Sequence, residues 1–134
     1  MSAKIRHVAI AVKDPHKSGL FYEKILGLKR VGETHSSLAD GVFLTDGYIN
    51  IALLKYRTDE AAGPGRDTDF IGTHHFGVQV DDLAETEKTI KEQGGTHVLT
   101  SPRDEETLDF EMKFLDPEGV LFDISKRGWT TSES

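Results

Sequence analysis

His7-Val8-Ala9-Ile10-Ala11-Val12-Lys13-Asp14 and His75-Phe76-Gly77-Val78-Gln79-Val80-Asp81-Asp82 read as one stretch written twice. Each opens on histidine, places apolar residues at every second position and closes on aspartate. The offset of 68 residues also carries Gly27 onto Gly95. Self-similarity at a fixed spacing marks a repeated supersecondary unit. A period of two predicts a β-strand in each copy. Asp14 and Asp82 suit the N-cap of a following helix, and Pro15 suits its first position. Helices are expected over about 15–26, with Leu20, Phe21 and Ile25 as the apolar stripe, and about 83–93, with Leu83, Ala84 and Ile90. Gly27 and Gly94-Gly95 end them.

Three strands are expected after each helix, at roughly 28–35, 40–46 and 48–55, then 96–100, 110–115 and 120–125. Thr45-Asp46-Gly47 matches Asp116-Pro117-Glu118-Gly119, each ahead of an apolar strand. The expected fold class is therefore α+β. Two tandem βαβββ modules, residues 5–56 and 71–126, are joined by a linker at 57–70 rich in Gly, Pro and charge. Together they make one domain over 1–134, with a curved, partly closed mixed sheet and the helices outside. The acidic run Arg103–Asp109 reads as an exposed loop, and the polar tail after Trp129 is expected to fray.

A chain of 134 residues can bury about two thirds of its unfolded surface. Its 37% hydrophobic and 29% charged residues describe a globular protein. A net charge of -7 argues against a nucleic-acid partner, which needs a basic face. With no cysteine, disulfides, thiolate metal sites and thiol nucleophiles are excluded. No apolar run is long enough to cross a membrane. The N-terminus has no signal-peptide core, so a cytoplasmic location is expected.

Strand side chains alternate between faces. Val8, Ile10 and Val12 form one face of the first strand, and His7, Ala9 and Ala11 the other. In the fifth strand, His74, Phe76, Val78 and Val80 oppose Thr73, His75, Gly77 and Gln79. In the last, Val120, Phe122 and Ile124 oppose Leu121, Asp123 and Ser125. The faces opposite the apolar ones thus hold two histidines, a carboxylate and small residues. Small residues leave room for a ligand, and a carboxylate among apolar residues needs a partner or a metal. Two imidazoles and a carboxylate suit a divalent cation, so His7, His75 and Asp123 are the candidate metal ligands. In the fourth strand, Ile49, Ile51 and Leu53 oppose Tyr48, Asn50, Ala52 and Leu54. The repeat matches Ala52 to Asp123, and alanine has no ligand atom.

These features resemble the vicinal oxygen chelate superfamily, which includes glyoxalases, extradiol dioxygenases, methylmalonyl-CoA epimerases and the fosfomycin and bleomycin resistance proteins. The resemblance runs over about residues 5–126. It rests on His7 in His-Val-Ala-Ile-Ala-Val, Phe21-Tyr22 with Leu26-Gly27-Leu28, His75 in His-Phe-Gly-Val-Gln-Val-Asp-Asp, and Asp116-Pro117-Glu118-Gly119 before Phe122-Asp123-Ile124. It implies metal ligands on the first, fourth, fifth and eighth strands, here His7, Ala52, His75 and Asp123. Asp123 is a methylene shorter than the usual glutamate. Ala52 leaves three ligands where the glyoxalase and epimerase patterns have four. Two His and one carboxylate are closer to the extradiol dioxygenases, which favours Fe(II) over Zn, Mn or Ni. The resemblance also implies a small-molecule substrate and a homodimer.

Two functions compete. One is a metalloenzyme in which the cation binds vicinal oxygens of a small molecule as a Lewis acid, with dioxygenase, glyoxalase, lyase or epimerase chemistry. The other is a metal-free small-molecule binding protein, with His7 and His75 hydrogen-bonded and Asp123 a paired structural carboxylate. His16, His35, His74 and His97 have no matched partner and read as surface or packing residues. Glu111 reads as an outward-facing charge rather than a general base, and Tyr48 and Tyr56 as packing.

Overall fold

The computed structural model describes residues 2–104 and 109–132. The chain is α+β. Its elements run β1 (Ala3–Ala11), α1 (Pro15–Leu26), β2 (Lys29–His35), β3 (Ala39–Thr45), β4 (Asn50–Tyr56), α2 (Asp59–Ala62), β5 (Gly72–Val80), α3 (Leu83–Glu92), β6 (Thr96–Asp104), β7 (Asp109–Leu115) and β8 (Leu121–Ser125). Within the described residues, β2 pairs with β3 and β3 with β4, and separately β5 pairs with β8, β8 with β7 and β7 with β6. The expected loop Arg103–Asp109 falls largely outside the described residues, and its ends belong to β6 and β7.

The contacts divide the chain into two compact units, residues 1–7 with 75–129 and residues 8–74 with 130–134. In the first unit, β5 pairs in parallel with β8, setting Phe76 beside Phe122, Gly77 beside Asp123 and Val78 beside Ile124. A parallel pair needs a long crossover, and α3, β6 and β7 supply it. β8 pairs antiparallel with β7, setting Lys113 beside Asp123 and Met112 beside Ile124. The core here is Val80, Met112, Phe114 and Ile124, with Val78, Leu83, Ile90 and Phe122 packed on it. Asp82 caps α3 by accepting from the Glu85 amide at 3.0 Å. Its inward face is Leu83, Thr86 and Ile90, spaced three and seven apart, while the expected Ala84 is exposed.

The second unit packs Val12, Val42, Leu44 and Leu53 into one cluster, with Ile10, Tyr22, Leu28 and Ile51 around it. Asp14 caps α1 through the Lys17 amide at 3.1 Å, and Gly27 ends it in a left-handed conformation, φ 68°. The expected apolar stripe is corrected here: Leu20, Phe21 and Ile25 are all exposed. Gly19 is the buried position of α1. A methyl group there would stand 2.9 Å from Arg30 Nη2 and 3.1 Å from Val42 Cγ1, so the glycine lets α1 approach β3 closely. That approach fixes which face turns inward, and Tyr22, three residues on, follows it into the core. The span read as a linker contains α2, capped by Thr58 Oγ1 accepting from the Ala61 amide at 3.0 Å.

β4 starts at Asn50 rather than near residue 48, because Asp46 Oδ1 accepts from the amides of Tyr48 and Ile49, both at 2.8 Å, and holds a turn. Asp116 does the same for Glu118 and Val120, both at 2.9 Å. The bonds from the Ile49 and Tyr48 amides hold the Asp46 carboxyl below the usual aspartate range. A lowered folded-state pKa contributes stability that is present above the unfolded value and is lost as the pH falls through the folded one. Asp46→Ala is expected to cost about 1 kcal/mol near neutral pH. In urea titrations that difference should shrink as the pH drops below about 4.

The tail expected to fray is tied down at Thr130, whose carbonyl accepts from Asn50 Nδ2 at 2.8 Å. The Thr131 carbonyl lies 3.4 Å from Thr45 Oγ1, which donates to the Ile49 carbonyl at 2.7 Å.

Candidate metal centre

Every residue of the candidate centre lies in the unit formed by residues 1–7 and 75–129. Alternation along β1 turns His7 inward, and His75 and Asp123 enter from β5 and β8. All three are buried, Asp123 fully so at 0% exposure. Their ligand atoms lie within 4.8 Å of one another. His75 Nε2 stands 3.0 Å from Asp123 Oδ2, and the two imidazole centroids are 5.4 Å apart. Sequence reading named these three residues, and the fold brings them together.

It did not name Lys113, whose Nζ donates to both Asp123 oxygens at 2.9 Å and to Glu111 Oε1 at 3.2 Å. Glu111 is corrected from an outward-facing charge, because its Oε2 also accepts from Trp129 Nε1 at 2.9 Å. The signal was present in β7. Met112 and Phe114 belong to the core, so Glu111 and Lys113 must face the other way, onto the side of the sheet that carries Asp123.

Trp129 was missed as well. Its ring lies flat on His7, with centroids 4.7 Å apart and planes 6° apart. Gly77 makes room for it: a Cβ at that position would come within 2.6 Å of Trp129 Cη2 and 2.9 Å of His7 Cβ. One side of the His7 ring is therefore covered by indole, and the Glu111 carboxylate anchors that indole.

The remaining histidines have other occupations. His35 is exposed, and its hydrogen bond to Asp40, helped by Glu33, raises its pKa. His74 is buried, with Nε2 at 2.6 Å from the Ala62 carbonyl and Nδ1 at 3.4 Å from Tyr56 Oη, which ties α2 to its unit. His97 lies 2.7 Å from Thr100 Oγ1, and His16 lies 3.1 Å from Arg30 Nη1. Tyr56 packs with Ala11, Ala39 and Ala62, whereas Tyr48 is exposed. Ala52 is buried on β4 and offers no ligand atom.

Among solved structures, the fold is similar to a hypothetical protein of Bacillus halodurans C-125 (TM-score 0.78, 23% identity, 99% of this chain and 100% of that one). It is also similar to Streptomyces coelicolor methylmalonyl-CoA epimerase in complex with 2-nitronate-propionyl-CoA (0.71, 19%, 91% and 92%). The methylmalonyl-CoA epimerase of Mycobacterium tuberculosis is a third (0.69, 20%, 90% and 85%). At these identities the likeness is one of fold. A comparison with curated proteins gives no significant match. Among the described residues, no helix is long and apolar enough to cross a membrane. A family model matches residues 4–124, nearly the whole paired-module pattern, and the chain belongs to the Glyoxalase/Bleomycin resistance protein/Dioxygenase superfamily, the vicinal oxygen chelate group.

Proposed function

We propose that this chain is a divalent-metal-dependent enzyme acting on a small oxygenated molecule, with His7, His75 and Asp123 as the metal ligands. The observation that carries the reading is the convergence of their donor atoms within 4.8 Å in a buried site. The donor set fits a cation. Two imidazoles and a carboxylate are ligand types that would hold a divalent ion, and their donor atoms already converge, with His75 Nε2 3.0 Å from Asp123 Oδ2. A carboxylate has roughly four lone-pair sites, so Asp123 can accept from Lys113 and still offer a ligand oxygen. When bound, the cation supplies Lewis-acid polarisation of adjacent substrate oxygens. Two imidazoles and one carboxylate leave coordination positions open, which favours Fe(II) and extradiol-type cleavage over Zn, Mn or Ni with glyoxalase, lyase or epimerase chemistry.

The chain's own residues prepare the site. Trp129 fixes the His7 ring plane and excludes water from one of its faces. Lys113 Nζ pairs with both Asp123 oxygens, at 2.9 Å each. That same contact favours a second reading, a metal-free binding protein, because the ammonium already neutralises the carboxylate. Elemental analysis after reconstitution with Fe(II), Zn, Mn and Ni separates the two. The enzyme reading expects about one ion retained per chain, and cleavage of catechols in air by the Fe(II) form in preference to turnover of a glutathione hemithioacetal. A protein that retains none of the four ions is the metal-free one.

A further inference from the structure

Lys113 is paired with the carboxylate that the proposed metal centre would use. Its ammonium lies 2.9 Å from each Asp123 oxygen and 3.2 Å from Glu111 Oε1. An ion approaching His7, His75 and Asp123 meets a carboxylate already paired with the chain's own positive charge, and like charges at such distances repel. Glu111 offers Lys113 an alternative partner, and Trp129 Nε1 holds that partner in place at 2.9 Å. A lysine is a point charge on a flexible stem, able to shift between two acceptors.

We propose that Lys113 is an internal competitor for the metal's carboxylate. In the ion-free chain it neutralises the buried Asp123. As an ion binds, it gives up one Asp123 oxygen and stays on Glu111. Metal affinity is then set by the exchange of one cation for another, and the ion-free protein keeps its buried carboxylate paired. This inference rests on the metal-centre reading above. It opposes the ordinary expectation for a residue that orients a ligand, whose removal weakens metal binding by about 10- to 100-fold.

Calorimetric titration of the full chain with Zn2+ alone and with Mn2+ alone tests it. Lys113→Met keeps the stem and removes the charge, and should bind each ion at least about tenfold more tightly than wild type, about 1.4 kcal/mol. Lys113→Arg places a fork that grips both carboxylate oxygens, and should bind at least about tenfold more weakly. Should the Met variant fail to fold, Lys113→Gln, neutral but still a donor, should also gain affinity. Saturating Zn2+ should raise Tm more in the neutral variants than in wild type, because their ion-free state has lost its counter-charge. Wild type binding as tightly as the neutral variants, or more tightly, overturns this inference alone. If no chain in the series binds either ion, the inference and the metal-centre reading both fall.

Discussion

Asp123→Ala is expected to lose about 3 kcal/mol of stability and, in the same variant, at least about 100-fold in affinity for a divalent ion. Asp123 is fully buried, and its oxygens are engaged by Lys113 at 2.9 Å and approached by His75 Nε2 at 3.0 Å. Removing one member of a buried ion pair costs more than the pair contributes, because the other charge stays behind without its counter-charge. Lys113 keeps Glu111 and its side chain is 18% exposed, so the lower end of the usual 3–5 kcal/mol range applies. Asp123→Asn preserves the volume and one acceptor oxygen, and should cost about 2 kcal/mol while losing the same metal affinity. Urea midpoints and metal titrations measure the two effects separately. An Asn variant with wild-type stability and wild-type metal content would show that the carboxylate serves neither purpose.

Gly77→Val is expected to cost about 3 kcal/mol and to weaken metal binding at least about tenfold, although glycine contributes no side chain to the site. Any Cβ at position 77 stands 2.6 and 2.8 Å from two atoms of the Trp129 ring and 2.9 Å from His7 Cβ. No flexible side-chain tip is available to move aside. Either the indole lifts from His7 or the β5 backbone retreats from its partners, and both displace a proposed ligand. Gly77→Ala should cost about 2 kcal/mol for the same reason. Gly32→Ala is the control, since its Cβ meets only Phe43 Cδ2, at 3.4 Å, and the change should stay within about 0.5 kcal/mol. Equal losses at positions 32 and 77 would mean that strand glycines matter here for backbone reasons, not for room at the site.

The positions of His7 and His75 are legible in the sequence because the repeat fixes them relative to two copies of one pattern. Asp123 is legible because a carboxylate between Phe122 and Ile124 breaks an otherwise apolar strand. Lys113 and Glu111 were harder. Their strand shows two faces plainly, but a period of two does not say what lies across from either face. That requires the register, which sets Lys113 beside Asp123. The stripe of α1 misled because hydrophobicity suggested Leu20, Phe21 and Ile25, whereas closeness of approach decided the packing, and closeness belongs to Gly19. Trp129 was beyond reach for another reason. Its partner His7 is more than a hundred residues away in the chain, and no local pattern pairs an isolated aromatic near the end with the first strand.

The flat contact between Trp129 and His7 has an optical consequence. The chain contains a single tryptophan, so its indole emission comes from one ring, and that ring lies 4.7 Å from a proposed metal ligand. Its N–H is bound to the carboxylate next to Lys113. Fluorescence excited in the indole band therefore reports on this centre without contribution from any other tryptophan. A shift in intensity or wavelength on adding an ion or a small molecule can be read directly as occupancy, with no label attached and no substrate known in advance.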